Sequence, residues 1–347
     1  MIEIDGSHGE GGGAILRNAI ALSAAFGEPA RVFNIRKGRK EPGLKLQHLT
    51  AVKALQEIAG AKVRGAEKGS QEISFGPGKI AGGKHRFDIG SAGSVTLVLQ
   101  ALMPALAFAE KETELEIVGG THVNWSPPFE YLKEVLLPQL RKMGYRCEVE
   151  LLRHGFYPKG GGIVRAEIEP CGRLNPLKLA GRGELAGIEG VSISANLPEH
   201  IAKRQAHAAA AALVKAGHES RIGTRVAQAD CPGTAIALWA KYSSGAILGA
   251  GSLGEIGKKA EKVGEEAAGK LLKEMESGAA VDEHLADQLL VYMALAEGRS
   301  EILASRLTGH AKTNAWLIGH FIKNRFEIEE KPGGTARIAM EGAGHGA

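Results

Sequence analysis

Cysteine is scarce in this chain. Its three residues, Cys147, Cys171 and Cys231, stand far apart, and none belongs to a CxxC pair. That pattern argues against a disulfide framework or a cysteine-built zinc site and for a reducing compartment. Aromatic residues make up 5% of the chain, so the core must rest on Ala, Leu, Ile and Val. No run of about 18 apolar residues occurs, and no membrane span is expected. The opening "MIEIDGSHGEGGG" has neither the basic segment nor the apolar segment of a secretory signal, which makes the cytoplasm the expected location. Neither sign of charge dominates: 43 Lys and Arg face 39 Asp and Glu, for a net charge of +4. This mild bias permits an anionic partner without requiring one.

Glycine is plentiful instead, at 48 of 347 residues, about twice the usual share of roughly 7%. The hydrophobic fraction of 44% suffices for a sizeable core, and the length suggests about two domains. The basic bias is locally concentrated: "RKGRK" at 36–40 places four cations in five residues.

The apolar periodicity repeats along the chain. A helix is expected over 14–26, where Ile15, Ala19, Leu22 and Phe26 share one face and Gly27 follows as a stop. A second helix covers 45–59, and strands follow in "KVRGAE" and "QEISFGPG". The order then recurs through "HRFDIG", "SAGSVTLVLQALMPALAFAE", "ELEIVGG", "PPFEYLKEVLLPQLRKMG", "RCEVELLRHG" and "GGIVRAEIEP". A third copy sits near the C-terminus, in "DEHLADQLLVYMALAEG", "SEILASR", "KTNAWLIGHFIKN" and "RFEIEE". Residues 183–277 between the second and third copies have a different, Ala-rich texture. The expected fold is α/β: a large domain of three βαβαββ-like repeats over 1–182 and 278–339, a small α/β domain inserted at 183–277, and a disordered tail at 340–347.

Several strings could carry chemistry. "GSHGEGGGAILRNA" at 6–19 runs glycines into a helix, where free backbone N–H groups attract anions, but it lacks the Gly-Lys-Ser/Thr ending of a phosphate-binding P-loop. Glu10 inside it is awkward beside an anion unless a divalent cation lies between. Arg17 follows and could reach a phosphate. The plain alternative is a tight turn with a solvated Glu and Arg. Arg36 and Arg39 flank Gly38, which lets both guanidiniums converge on one polyanion; a solvated charged face is the alternative. In "RHGFYPKGGGIV" at 153–164, three successive glycines suggest close approach of another backbone or a ligand, against a long hairpin turn. Asp287 and Gln288 lie beside the apolar stripe Leu285, Leu289 and Met293 and could read an adenine edge or a ribose, against a surface helix with a capping carboxylate. His310 stands just before a helix, where the positive potential of free N–H groups disfavours imidazolium and leaves the neutral, nucleophilic ring. Position alone favours an ordinary helix-start histidine hydrogen-bonded to its neighbours.

Together "GEGGGAILR", "RKGRKEPGLKLQHLTAVKA", "IGSAGSVTLVLQ", "RHGFYPKGGG", "DEHLADQL" and "GHAKTNAW" give a chain that resembles the RNA 3′-terminal phosphate cyclases from about residue 3 to residue 329. The resemblance implies a repeat-built domain similar to enolpyruvyl transferases and to the C-terminal domain of a bacterial initiation factor. It also implies an ATP-dependent enzyme that turns an RNA 3′-phosphate into a 2′,3′-cyclic phosphate, releasing AMP and pyrophosphate. By the same resemblance His310 takes AMP, Arg17, Arg36 and Arg39 serve the phosphates, and Glu10 holds Mg²⁺ or Mn²⁺. Gln47 and Gln100 join the nucleotide site with the segment His284, Leu285, Ala286, Asp287 and Gln288. His284 stands where other members often carry Tyr. The expected partners are RNA 3′-phosphate ends and no membrane; the oligomeric state stays open, a homo-oligomer included. A cyclase-like ribosome-assembly factor would bind RNA without the nucleophilic histidine, and an enolpyruvyl transferase would lack "HGFYPKGGG".

Overall fold

The computed structural model describes residues 1–345. The first repeat comprises β1 (Ile2–Asp5), α1 (Gly13–Phe26), β2 (Ala30–Phe33), α2 (Leu46–Ile58), β3 (Lys62–Arg64) and β4 (Ile73–Gly76). Its sheet has the order β1-β2-β4-β3, with β1 parallel to β2 and the other pairings antiparallel. The second repeat follows the same path: β5 (Gly83–Asp88), α3 (Val95–Leu106), β6 (Thr113–Gly119), a helical run, β7 (Arg146–Arg153) and β8 (Gly162–Glu169). The helical run consists of α4 (Phe129–Tyr131), a π turn (Leu132–Leu136) and α5 (Leu137–Lys142). The order β5-β6-β8-β7 reproduces the first sheet strand for strand.

The third repeat opens with β9 (Lys178–Leu179) and is then interrupted. β10 (Leu185–Ala195), α6 (Glu199–Lys215), β11 (Arg221–Ala227), β12 (Gly233–Tyr242), β13 (Ile247–Leu253) and α7 (Ala260–Glu276) form a sheet of their own, β11-β10-β12-β13, packed against α6 and α7. The repeat resumes with α8 (Glu283–Leu295), β14 (Glu297–Ala304), α9 (Gly309–Ile318), β15 (Glu327–Glu330) and β16 (Ala336–Ala343). β9 pairs in parallel with β14, and β16 lies antiparallel between β14 and β15, which restores the same sheet a third time.

The expected disordered tail from residue 340 is corrected. Ala336, Ile338 and Met340 are fully buried, and β16 stays paired with β14 as far as Ala343 opposite Glu297. That apolar face is enough to hold the strand, so it runs past the limit expected at 339; residues 346–347 lie outside the described residues. α9 also differs from expectation. Thr308 caps it by accepting a hydrogen bond from the Ala311 N–H (2.9 Å), so the helix starts before His310 rather than after it.

The apolar face of α1 (Ile15, Leu16, Ala19 and Ile20) is buried, and nearly all of α3 is buried. α1 packs on α3 and α9, and α8 packs on α3 and α9. The first helices of the three repeats thus meet at the centre of the molecule. Among the described residues no helix is long and apolar enough to cross a membrane.

Candidate active site

Because the three first helices meet side by side, their N-termini open into one space. A cleft of about 1370 Å³ is lined by Gly12 and Gly13 before and in α1, Ser91 and Gly93 before α3, Gln47 in α2, Glu283 and His284 in α8, and His310 in α9. The N-terminus of α1, which no side chain caps, adds positive potential to the cleft. Arg17, Arg36, Arg39, Lys45 and Lys68 add formal charge.

The turn from β1 into α1 is pinned to α9. The Glu10 N–H donates to Thr313 Oγ1 (3.3 Å), and the Glu10 carboxylate rests against Gly309, where a Cβ would collide with it. Arg39 donates to the Glu10 carbonyl (2.9 Å) and stands 4.0 Å from its carboxylate. Both side chains stay exposed, so this pair contributes little to stability. Arg17 differs: its Nε is buried without a partner, and burial lowers its guanidinium to about 10, still charged at neutral pH. Arg36, at φ +54°, donates to the Glu41 and Gly43 carbonyls (2.7 and 2.9 Å), which fixes its guanidinium in place.

His48 at the start of α2 is buried. It accepts the Lys45 N–H on Nδ1 (3.1 Å), so the neutral ring carries its proton on Nε2, facing Gly13. Burial, then Arg17, Arg36 and Lys45, push its pKa down to about 3. Gln47 accepts the Ser94 N–H on Oε1 (2.9 Å), joining the first repeat to the second.

α8 starts at Asp282, a buried N-cap that accepts from the His284 and Leu285 N–H groups, from Gly249 N–H and from the Tyr131 hydroxyl. His284, Asp287 and Gln288 reach the cleft. Gln100 donates to Gln288 (2.7 Å), which in turn donates to the His284 carbonyl (2.9 Å). Thr308 donates to Asp287, Asn314 donates to the Asp287 carbonyl (2.8 Å), and Asn18 donates to Asn314 (2.9 Å). This network ties α1, α8 and α9 together. Burial, reinforced by Glu283 and Asp282, raises the Asp287 carboxyl to about 7. Within the expected nucleotide segment the side chains of Leu285 and Ala286 are fully buried in the core, because helical periodicity turns them away from the cleft.

His310 projects from the first turn of α9, and among the described residues neither of its ring nitrogens has a hydrogen-bond partner. Partial burial lowers its pKa below the ordinary imidazole value. Glu10 works against this, and Arg17, Arg39 and His284 reinforce it. The ring is therefore neutral at physiological pH, with a free nitrogen lone pair in a cleft lined by Arg17, Arg36 and Arg39.

Patterning missed some of the lining. Asn18 and Asn314 carried no distinguishing signal beyond helical position. Lys270 and Lys273 come from α7, far away in sequence, and Trp125 comes from the β6–α4 loop. The string 153–164 lies beside the cleft rather than in it. Gly160 sits against the backbone of Ser91 and Ala92, Gly155 against Gly119 and Gly162, and Phe156 against Gly233. Its glycines serve backbone packing.

A repeat-built α/β scaffold whose cationic cleft holds an unpartnered neutral imidazole fits the enzymes of phosphoryl and nucleotidyl transfer. The family described as RNA 3′-terminal phosphate cyclase matches residues 8–328. An RNA 3′-terminal phosphate cyclase of Methanopyrus kandleri is 47% identical over 350 residues, spanning 99% of each chain. Those of Pyrobaculum aerophilum and Pyrococcus furiosus are 44% and 46% identical, spanning 99% and 98% of each chain. The chain belongs to the RNA 3′-terminal phosphate cyclase family. Among solved structures, the enolpyruvyl transferase NikO from Streptomyces tendae aligns with 99% of this chain and 48% of its own, at 12% identity and a TM-score of 0.39, too distant to carry weight.

Proposed function

We propose that this protein converts an RNA 3′-terminal phosphate into a 2′,3′-cyclic phosphate at the expense of ATP, with His310 as the nucleophile. The observation that carries the reading is the placement of His310: a neutral, unpartnered ring in the same cleft as Arg17, Arg36 and Arg39, beside Glu10.

A ring nitrogen of His310 attacks the α-phosphorus of ATP, and pyrophosphate leaves. A 3′-phosphate oxygen of the RNA then attacks the same phosphorus and breaks the N–P bond, returning the histidine. The neighbouring 2′-OH attacks the RNA phosphorus, loses its proton and expels AMP. A phosphate monoester oxygen is a poor leaving group; activation by AMP splits one hard step into easier ones. The protein's contribution is positioning and charge stabilisation. Arg17, with its unpartnered Nε, suits a phosphate. Arg36 is held by carbonyls on one side only, and the amide N–H₂ of Gln47 remains to donate once its oxygen is taken by Ser94. Gln100, His284, Asp287 and Gln288 line the nucleotide end. In this reading residues 1–182 and the chain from 278 carry the chemistry, and 183–277 is a separate inserted domain.

Mg²⁺ or Mn²⁺ fits the site only in a limited sense. Among the described residues no cluster of three or more His, Cys, Asp or Glu could cage a metal ion. The single half-exposed carboxylate of Glu10 suits a cation that keeps its waters and takes phosphate oxygens from the substrate. When bound, such an ion supplies charge neutralisation at the phosphates.

Incubation with α-labelled ATP and a divalent metal should leave an acid-labile, base-stable label on the protein, and His310→Ala should abolish it with the fold intact. Full labelling of the variant would refute the assignment.

A further inference from the structure

Trp125 is 98% exposed, whereas Trp239 is 7% exposed. An indole left in water forfeits a large apolar contribution. Its backbone is also unusual: at φ +66° it occupies the left-handed region, which costs an L-residue about 1 kcal/mol. The loop is nevertheless tied down. Thr96 donates to the Pro127 carbonyl (2.8 Å), Ser126 donates to the Val123 carbonyl (3.0 Å), and the Phe129 N–H donates to the Thr121 carbonyl (3.2 Å). His122 is held between Thr121 Oγ1 (2.8 Å) and Glu130 Oε2 (2.7 Å). The fold thus holds a large aromatic face out to solvent on a fixed backbone, on the wall of the cleft that contains His310.

Two cations of α7 lie near that loop, alongside the carboxyl of Glu274. Pro128 packs on Gly251, whose carbonyl accepts from Lys270 Nζ (3.1 Å), and Lys273 lies one turn further along α7. The cleft volume of about 1370 Å³ also exceeds the roughly 300–1,000 Å³ of a site for one small ligand.

We propose that Trp125 is the stacking platform for a nucleobase of the RNA strand just upstream of its terminal 3′-phosphate, with Lys270 and Lys273 meeting the adjoining backbone phosphates. An exposed aromatic beside cations is the combination that binds single-stranded nucleic acid without sequence preference, since every base has a π face. An indole this exposed stands at the rim, where a strand arriving from solvent must cross; a nucleotide seated among Gln100, Asp287 and Gln288 lies deeper. The proposal rests on the cyclase reading above.

The test compares wild type, Trp125→Ala and Trp125→Phe on a 3′-phosphorylated RNA oligonucleotide, alongside labelling of the enzyme by α-labelled ATP without RNA. Stacking is worth about 1–3 kcal/mol per base. Trp125→Ala should therefore raise the KM for RNA by about fivefold to about 150-fold, with labelling rate and KM for ATP unchanged. Trp125→Phe should recover most of the loss. Removing single upstream bases from the oligonucleotide should weaken wild type at one position and leave Trp125→Ala indifferent there. An unchanged KM for RNA in Trp125→Ala overturns the proposal, and so does a raised KM for ATP, which would assign the indole to adenine. Absence of labelling in wild type would instead overturn the cyclase reading, so the two failures are distinguishable.

Discussion

The imidazole of His8 lies flat on the indole of Trp316, with ring centroids 3.8 Å apart and planes 10° from parallel. This stack joins the glycine-rich turn to α9, two residues before Glu10 and six after His310. Together with the Glu10 N–H bond to Thr313 and the carboxylate seat against Gly309, it fixes the acidic side chain relative to the nucleophile.

His8 should therefore act as a positioning residue. Stacked pairs contribute only about 0.5–1.5 kcal/mol, so His8→Ala should lower the melting temperature slightly. A misplacement of about 1 Å can cost about a hundredfold in rate. The labelling rate should fall by one to two orders of magnitude on that basis, and the metal concentration for half-maximal labelling should rise. His8→Phe, which keeps the stack, should restore both. An unaltered metal dependence in His8→Ala would show that the stack is merely structural.

Gly309→Ala separates stability from activity differently. A Cβ there meets the Glu10 carboxylate. Alanine in a helix is favoured over glycine by at most about 1 kcal/mol. Urea denaturation should show stability equal to or above wild type, while labelling drops sharply. Wild-type labelling would mean that Glu10 can move freely.

Arg17 is a half-buried cation whose Nε is buried without a partner. Unsatisfied buried groups cost about 1–3 kcal/mol, more when charged. Arg17→Met keeps much of the volume and removes the charge. It should raise the unfolding midpoint while reducing adenylylation at least a hundredfold, a loss of the size measured for single electrostatic donors, about 10²–10³. A less stable Arg17→Met protein would contradict this account.

His48 gives a pH prediction. Its folded pKa of about 3 lies below the unfolded value near 6.5. Between those limits the unfolded chain binds the extra proton, so stability is intact above about pH 6.5 and declines as pH falls, by about 1.4 kcal/mol per pH unit. His154, lowered to about 4 mainly by burial, acts in the same sense. His48→Asn keeps an acceptor for the Lys45 N–H and cannot titrate. Urea midpoints from pH 7 to 4 should fall less steeply in the variant by close to one proton, and parallel curves would exclude the buried neutral ring.

The chain encodes its repeats locally. Alternation and helical periodicity specify "HRFDIG", the α1 face of Ile15, Ala19 and Leu22, and the stop at Gly27, because side chains i+3 and i+4 share a helix face whatever the rest of the chain does. The motif strings around Glu10, Arg36, Arg39 and His310 likewise stand out in one dimension. The short β9 is not legible, because two residues carry no period, and the end of β16 falls within the expected tail because "EGAGHGA" shows no strand pattern.

Tertiary packing decided the rest. Only the meeting of α1, α3 and α8 brings Gly13, Gly93 and His284 to one cleft, with Asp287 and Gln288 at its wall. The lowered pKa values of His310 and His48 arise from desolvation and from cations that folding brings close, Arg17 and Arg39 for His310 and Arg17, Arg36 and Lys45 for His48. Sequence sets which faces are apolar and which residues carry charge. The electrostatic environment of a side chain depends on distances through space, and those exist only once the chain is folded.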